Sequence, residues 1–318
     1  MPSILDVARA KLRELRNYAY GSPDAALPST LPTLVQTGWN GVSGVTGLAS
    51  TDRYTIVDVT GQSKFAWLMH PASPNGTVVV FHSGHVGDDP KDATTKSIDM
   101  VQDLLAANYR VLALSMPGID LAGAGVTFNA TVAGAVYEVT SDHSTLKSCP
   151  DAGMLRIFVD PVFIAINQLR TTYANCTVFM CGISGGGWTT AWAAALDTRI
   201  SRSYPVAGCL PHDWMRVAGG NGDWEQWQGA PWHRLTGLDY HELWALALGT
   251  GRKQRVCFNN DDAEYTTADL PSYFFPCLQA TLTAYDGDWN YTINTGAGST
   301  EHAYTATIRT AILNDMAA

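Results

Sequence analysis

The chain alternates short, nearly continuous apolar runs with longer amphipathic ones. TVVVFHSGH (77–85), YRVLALSMPG (109–118) and CTVFMCGIS (176–184) are dense in Val, Leu, Phe and Met, as strands buried on both faces of a parallel sheet are. Between the first two, DATTKSIDMVQDLLAAN (92–108) places its apolar residues at helical spacing, which predicts a β-α-β unit. Upstream, YTIVDVT (54–60) and SKFAWLMHP (63–71) meet through Gly61-Gln62 and read as a hairpin. Downstream, MLRIFVDPVFIAINQLRTT (154–172) predicts a helix with an irregularity at Pro161. GWTTAWAAALD (187–197) predicts another helix, and ISRSYPVAGCLP (200–211) and QRVCFNND (254–261) two further strands. A weaker strand at WNYTINTG (289–296) and a helix at AYTATIRTAILNDM (303–316) close the pattern. Residues 119–150, rich in Gly, Ala and Thr, have no period and read as an excursion from the sheet. The amino-terminal MPSILDVARAKLRELRNYAYGSP reads as an amphipathic helix. The expected organisation is one α/β domain over residues 50–318, preceded by a helical or irregular extension over 1–49.

Composition narrows the partners. With 46% hydrophobic and 15% charged residues over 318 positions, the chain can bury a large core. A net charge of -9 and the absence of any run of four Lys or Arg argue against nucleic acid or an anionic membrane as partner. No stretch of eighteen apolar residues occurs and the first residues lack a continuous apolar leader, so the expectation is a soluble protein, cytoplasmic or released without the usual secretion signal. The six cysteines form no C-x-x-C pair, and several lie in apolar runs, where buried thiols are expected.

The informative stretch is CGISGGGWTTAWAAALD (181–197). Gly182-Ile183-Ser184-Gly185-Gly186 is G-x-S-x-G at the junction of a predicted strand and a predicted helix, the context in which the pattern marks a nucleophilic serine. The residues two before and two after that serine must approach closely, and Gly182 and Gly186 carry no Cβ to obstruct them. A phosphate cradle would instead need G-x-x-x-x-G-K-[ST], or G-x-G-x-x-G with a later acid, and neither is present.

A serine hydroxyl becomes a nucleophile only when an imidazole accepts its proton and a third group orients the imidazole. On this kind of turn the partners follow in the order acid, then histidine. His302, in GSTEHAYTATIRTAI, stands in a polar loop before the last helix, whereas His212, His233 and His241 fall in a Trp-rich insertion. QRVCFNNDDAEY offers Asp262 as the acid, with Asp261 as the alternative; Asp286 and Asp288 would need a shifted strand. The oxyanion needs two N–H donors. Gly185 supplies one, and the FHSGHVGDD loop (81–89) supplies the other from Gly84 or His85. A metal reading of His82, His85 and Asp88 lacks the helical spacing of H-E-x-x-H and is set aside, so neither metal nor cofactor is expected.

The element order, the G-I-S-G-G turn, the FHSGH loop, the Asp pair and the late His302 together resemble the α/β-hydrolase superfamily over roughly residues 50–318, and its serine esterase and dienelactone-hydrolase-like branches in particular. The resemblance implies a mostly parallel eight-stranded sheet with helices on both faces, and hydrolysis through an acyl-serine. It also implies that the insertion at about 208–250 forms a lid. That insertion holds Trp214, Trp224, Trp227, Trp232 and Trp244. The first four are candidates for binding substrate if exposed; buried, they would form the lid's own core. The expected function is hydrolysis of short-acyl esters of small molecules or carbohydrates. The alternatives are a serine peptidase or amidase and a non-catalytic binding protein on the same fold.

Overall fold

The structure is a computed structural model describing residues 3–318, except 40, 43, 59, 62, 86–96, 120–124, 218–222, 228, 269 and 284–287. Its strands are β1 (Thr33–Gln36), β2 (Ser50–Val57), β3 (Ser63–His70), β4 (Thr77–His82), β5 (Arg110–Leu114), β6 (Phe128–Val132), β7 (Ala135–Val139), β8 (Thr177–Ile183), β9 (Ile200–Val206), β10 (Lys253–Asn259) and β11 (Asp288–Asn294). Its helices are α1 (Ile4–Tyr20), α2 (Ser97–Ala106), α3 (Arg156–Thr172), α4 (Gly185–Leu196), α5 (His212–Val217), α6 (Pro231–Thr236), α7 (Tyr240–Leu246), α8 (Phe274–Thr283) and α9 (Ala306–Ala317).

Nine strands form one sheet in the order β1-β2-β3-β5-β4-β8-β9-β10-β11. The six from β5 to β11 run parallel, and β1, β2 and β3 are joined antiparallel at one side. The sheet is thus mostly parallel, but it has one strand more than the eight expected. The added strand, β1, is four exposed residues without apolar alternation, so no periodicity marked it. The described residues of 119–150 leave the sheet, as their composition suggested, and include the β6-β7 hairpin and a 3-10 turn, His143–Ser148. Helix α3 continues unbroken through Pro161. The irregularity lies just ahead of it, in the 3-10 turn Ala152–Leu155. In the second turn of a helix, a proline costs one backbone hydrogen bond and leaves most of the ladder intact.

The parallel strands end in register. His82 lies beside Leu114 and Gly182, Ile183 beside Val206, and Asn259 beside Asn294. Loops that follow these strands therefore emerge along one edge, where open α/β sheets bind ligands. The core beneath is built from Val78, Val79, Val80, Leu112, Met180, Phe158, Phe163 and Trp188, all buried. The helical run 152–172 is the one among the described residues long and apolar enough to cross a membrane, and most of it is buried inside the protein. All six cysteines are unpaired, and only Cys277 is exposed.

The amino-terminal helix is tied to the rest by polar contacts at long sequence range. Lys11 Nζ meets Glu242 Oε1 at 2.6 Å, Arg16 donates to the Leu196 carbonyl at 3.0 Å, and the Tyr20 hydroxyl donates to Asp160 Oδ1 at 2.8 Å. Asp160 is buried and also accepts from Arg156 Nε at 3.0 Å. Burial raises its pKa to about 6, against the pull of Arg156 and Tyr20. Between about pH 4 and 6 the folded chain therefore holds a proton that the unfolded chain has released, so this group's stabilising contribution is full below that window and lost as pH rises through it. In urea unfolding, the stability of the wild type minus that of Asp160→Asn should fall by about 3 kcal/mol across the window and then level off. A difference that stays flat with pH would contradict the raised carboxyl.

Candidate active site

Strand β8 ends at Ile183 and α4 begins at Gly185, so Ser184 alone makes the turn. Its backbone lies at φ 55° and ψ −127°, a conformation that costs an L residue roughly 1–3 kcal/mol. The surroundings hold it there. The Ser184 N–H donates to the Val206 carbonyl at 2.9 Å, and the Ser184 carbonyl accepts from the Trp188 N–H at 3.0 Å. A methyl group at Gly182 would overlap the Gly186 carbonyl, and one at Gly186 would overlap the carbonyls of His82 and Ser83. Gly84 lies against the serine itself: a methyl group there would stand 2.9 Å from Ser184 Cβ and 3.5 Å from Oγ.

At the ends of β10 and β11 the structure brings Asp262 and His302 together. Asp262 is fully buried, and its Oδ2 lies 2.8 Å from His302 Nδ1. Its Oδ1 accepts the backbone N–H of Glu264 at 2.9 Å and that of Tyr265 at 3.4 Å. A carboxylate accepts, so Nδ1 carries the proton and Nε2 is the basic nitrogen of the neutral ring. Nε2 lies 3.7 Å from Glu264 Oε2. The Tyr265 ring stacks on the imidazole at 5.7 Å and 17°. Asp261 faces solvent, and its Oδ2 accepts from Ser299 Oγ at 2.8 Å. Asp288 begins β11 at the opposite end of the parallel strands, 3.5 Å from Lys253; Asp286 lies outside the described residues.

The histidines after β4 divide. Burial pushes His82 down to about 3, so its ring is neutral, and Nδ1–H donates to the Ser83 carbonyl at 2.9 Å. Asp88 lies outside the described residues. His85 instead points at three side chains that no spacing connected to it: Nε2 is 2.6 Å from Glu225 Oε1, 2.9 Å from Asp223 Oδ2 and 3.0 Å from His143 Nδ1. Burial opposes a charge on His85, but the Glu225 and Asp223 carboxylates more than reverse this and raise its pKa to about 10. Glu225 is held well below the usual carboxylate range by His143 and His85 despite its burial.

Solved structures provide a comparison for this arrangement. The chain superposes on methylesterase BT1017 with a TM-score of 0.66 at 17% identity, covering 98% of this chain and 62% of that one. It thus spans less than two thirds of that protein's length. For acetyl xylan esterase 1 from Thermoanaerobacterium sp. JW/SL YS485 the TM-score is 0.62 at 14% identity, covering 99% and 98% of the two chains. An acetyl xylan esterase from Paenibacillus sp. R4 gives 0.56 at 15% identity, with 99% and 94% covered. The fold is that of the α/β hydrolases. No family model and no curated relative matches the chain.

The α/β-hydrolase fold carries an insertion between β9 and β10, and two of its four substrate-binding candidates must be reassigned. Trp224 and Trp232 have no exposed surface. Trp224 stacks on Phe158 at 5.4 Å and 4°, and Trp232 meets Trp192 edge-on at 5.0 Å. They anchor the insertion to α3 and α4 and present nothing to a ligand. Trp227 and Trp214 are half-buried, the latter 5.9 Å from Phe274. Residues that sequence reading did not single out are His143, Asp223, Glu225, Gln226 and Tyr265, because each gains its contacts only through long-range packing. The close backbone approach around the turn gives a direct test. Gly186→Ala should destabilise the protein by at least about 2 kcal/mol, read as a lower urea midpoint at unchanged slope. Wild-type stability in Gly186→Ala would mean that the strand ends are not in backbone contact.

Proposed function

We propose that the chain is a serine carboxylic-ester hydrolase in which Ser184 is the nucleophile, His302 the general base and Asp262 the acid that orients it. The observation that carries this reading is Ser184 at φ 55° on a one-residue strand-to-helix turn, with a buried Asp262 bonded to a partly exposed His302 after β10 and β11 of the same sheet. A strained serine gains nothing for a simple connection, whereas it lifts a hydroxyl above a sheet edge. The structural relatives, a methylesterase and two acetyl xylan esterases, support ester chemistry.

In this mechanism His302 Nε2 takes the Ser184 Oγ proton as the oxygen attacks the ester carbonyl. The negative oxygen of the tetrahedral intermediate is held by the Gly185 N–H and by a second N–H from Gly84 or His85; Gly84 lies directly against Ser184. Collapse expels the alcohol, which receives the proton from His302, and leaves an acyl-serine that water attacks by the same route. Asp262 stabilises the imidazolium without taking its proton. The substrate is a short-acyl ester of a small molecule or carbohydrate, and of the four tryptophan candidates Trp227 and Trp214 are the two that keep exposed surface with which to stack on a sugar ring. The chemistry needs no cofactor.

Turnover of p-nitrophenyl acetate tests the assignment. Ser184→Ala should lose on the order of 10⁶-fold in rate while remaining folded. Asp262→Asn should lose about 10⁴-fold, and Asp261→Asn, whose carboxylate is engaged by Ser299, should stay within about tenfold of the wild type. A folded Ser184→Ala variant with a tenth of the wild-type rate would overturn the nucleophile, and reversal of the two Asp effects would move the acid to Asp261.

A further inference from the structure

Four side chains from three separate parts of the chain aim their donor atoms at one spot beside the serine turn. His85 follows β4, His143 opens the 3-10 turn after β7, and Asp223 and Glu225 belong to the insertion; one donor atom from each lies within 4.8 Å of the others. The His85 ring rests on the turn itself, since a methyl group at Gly185 would stand 2.7 Å from His85 Cε1. His143 and Glu225 are completely buried.

A proton on His85 pairs its Nε2 with the Glu225 and Asp223 carboxylates but does not account for His143, which turns a ring nitrogen to both Glu225 oxygens. His143 Nε2 lies 2.7 Å from the Pro117 carbonyl, which can only accept, so Nε2 carries a proton and neutral His143 presents the Nδ1 lone pair to the cluster. Nδ1 lies 3.1 and 3.2 Å from the two Glu225 oxygens and 3.0 Å from His85 Nε2. If both facing nitrogens are protonated, two N–H donors oppose each other. If only one is, the lone pair of the other faces a carboxylate. A dication removes the conflict by accepting a lone pair from all four groups, and two carboxylates with two neutral imidazoles balance its charge. The Pro117 carbonyl then plays the outer-shell part that fixes a ligating histidine. Tetrahedral zinc bonds of about 2.0–2.1 Å need donor atoms about 3.3 Å apart; the short contacts of 2.6–3.2 Å would open by up to about 0.7 Å to reach that spacing, and all four donors already lie within 4.8 Å of one another.

We propose that His85, His143, Asp223 and Glu225 form a site for a divalent transition-metal ion of the zinc type that fastens the insertion to the serine turn. Four protein donors close the coordination sphere, the mark of a structural rather than a catalytic site. The fastened segment also carries Gln226, whose amide donates to the Tyr265 hydroxyl, and Tyr265 stacks on His302. The ion thus positions both sides of the site without touching the ester.

The test uses the full chain, stripped with EDTA, desalted and titrated with ZnCl₂ by calorimetry, so it is independent of any esterase activity. The wild type should take up one Zn²⁺ per chain and gain thermal stability with Zn²⁺ concentration. Asp223→Asn and Glu225→Gln, each close to isosteric, should weaken binding at least tenfold and lose the thermal gain. Should Glu225→Gln fail to fold, Asp223→Asn, whose side chain is 28% exposed, decides alone. No uptake by the wild type, or unchanged uptake by the folded variants, would overturn the site.

Discussion

Ser184 holds a backbone conformation that isolated chains avoid, and it does so because three stretches of main chain meet with no side chain between them. The ends of β4 and β8 and the first turn of α4 touch at Gly182 and Gly186, and Gly208 presses on Gly187 and Trp188 from the end of β9. Any Cβ at these positions would push the strand ends apart and release the turn. The strain of roughly 1–3 kcal/mol is offset by the buried core beneath and by the Ser184–Val206 and Trp188–Ser184 backbone hydrogen bonds. The rest of the site follows from the same edge: Gly84 can lie on the serine because it too lacks a side chain, and His85 can rest on Gly185 because no Cβ is there.

The second organising feature is the segment 223–227, which joins halves of the site that the sheet alone leaves apart. Trp224 enters the aromatic core between Phe158 and Trp188, Glu225 meets His85 and His143, and Gln226 reaches Tyr265. Tyr240 locks the segment from behind: its hydroxyl donates to the Glu225 carbonyl at 3.1 Å and accepts from Trp188 Nε1 at 3.0 Å. Burying so many polar groups is costly unless they are paired. Here Glu225 ties the insertion to the loop after β4 and to His143, and Gln226 ties it to the loop after β10, so the insertion and the strand-end loops are positioned together.

Much of the fold was legible because its strongest signals are local. Runs such as Val78–Val80 and Val178–Cys181, short, rich in apolar residues and bounded by turn residues, read as strands buried on both faces, and the glycines around Ser184 have a steric reason visible in one dimension. Asp262 and His302 could be ordered from chain sequence alone, and the present hydrogen bond distinguishes Asp262 from Asp261 as the partner of His302. What was not legible depends on contacts between distant residues. Strand β1 has no alternation, and the core role of Trp224 and Trp232 arises from rings on α3 and α4. His85 and His143 are 58 positions apart, and His143 and Glu225 are 82 apart. No motif spans such separations, so their cluster emerges only from the folded chain.

The most direct measurement of the central claim is covalent labelling with a fluorophosphonate followed by mass spectrometry of the peptides. The account predicts one label per chain, carried by Ser184, the hydroxyl that the proposed mechanism pairs with His302. A folded, native protein that takes no label, or takes it at another residue, would contradict the account and leave the glycines around Ser184 as features of the turn alone.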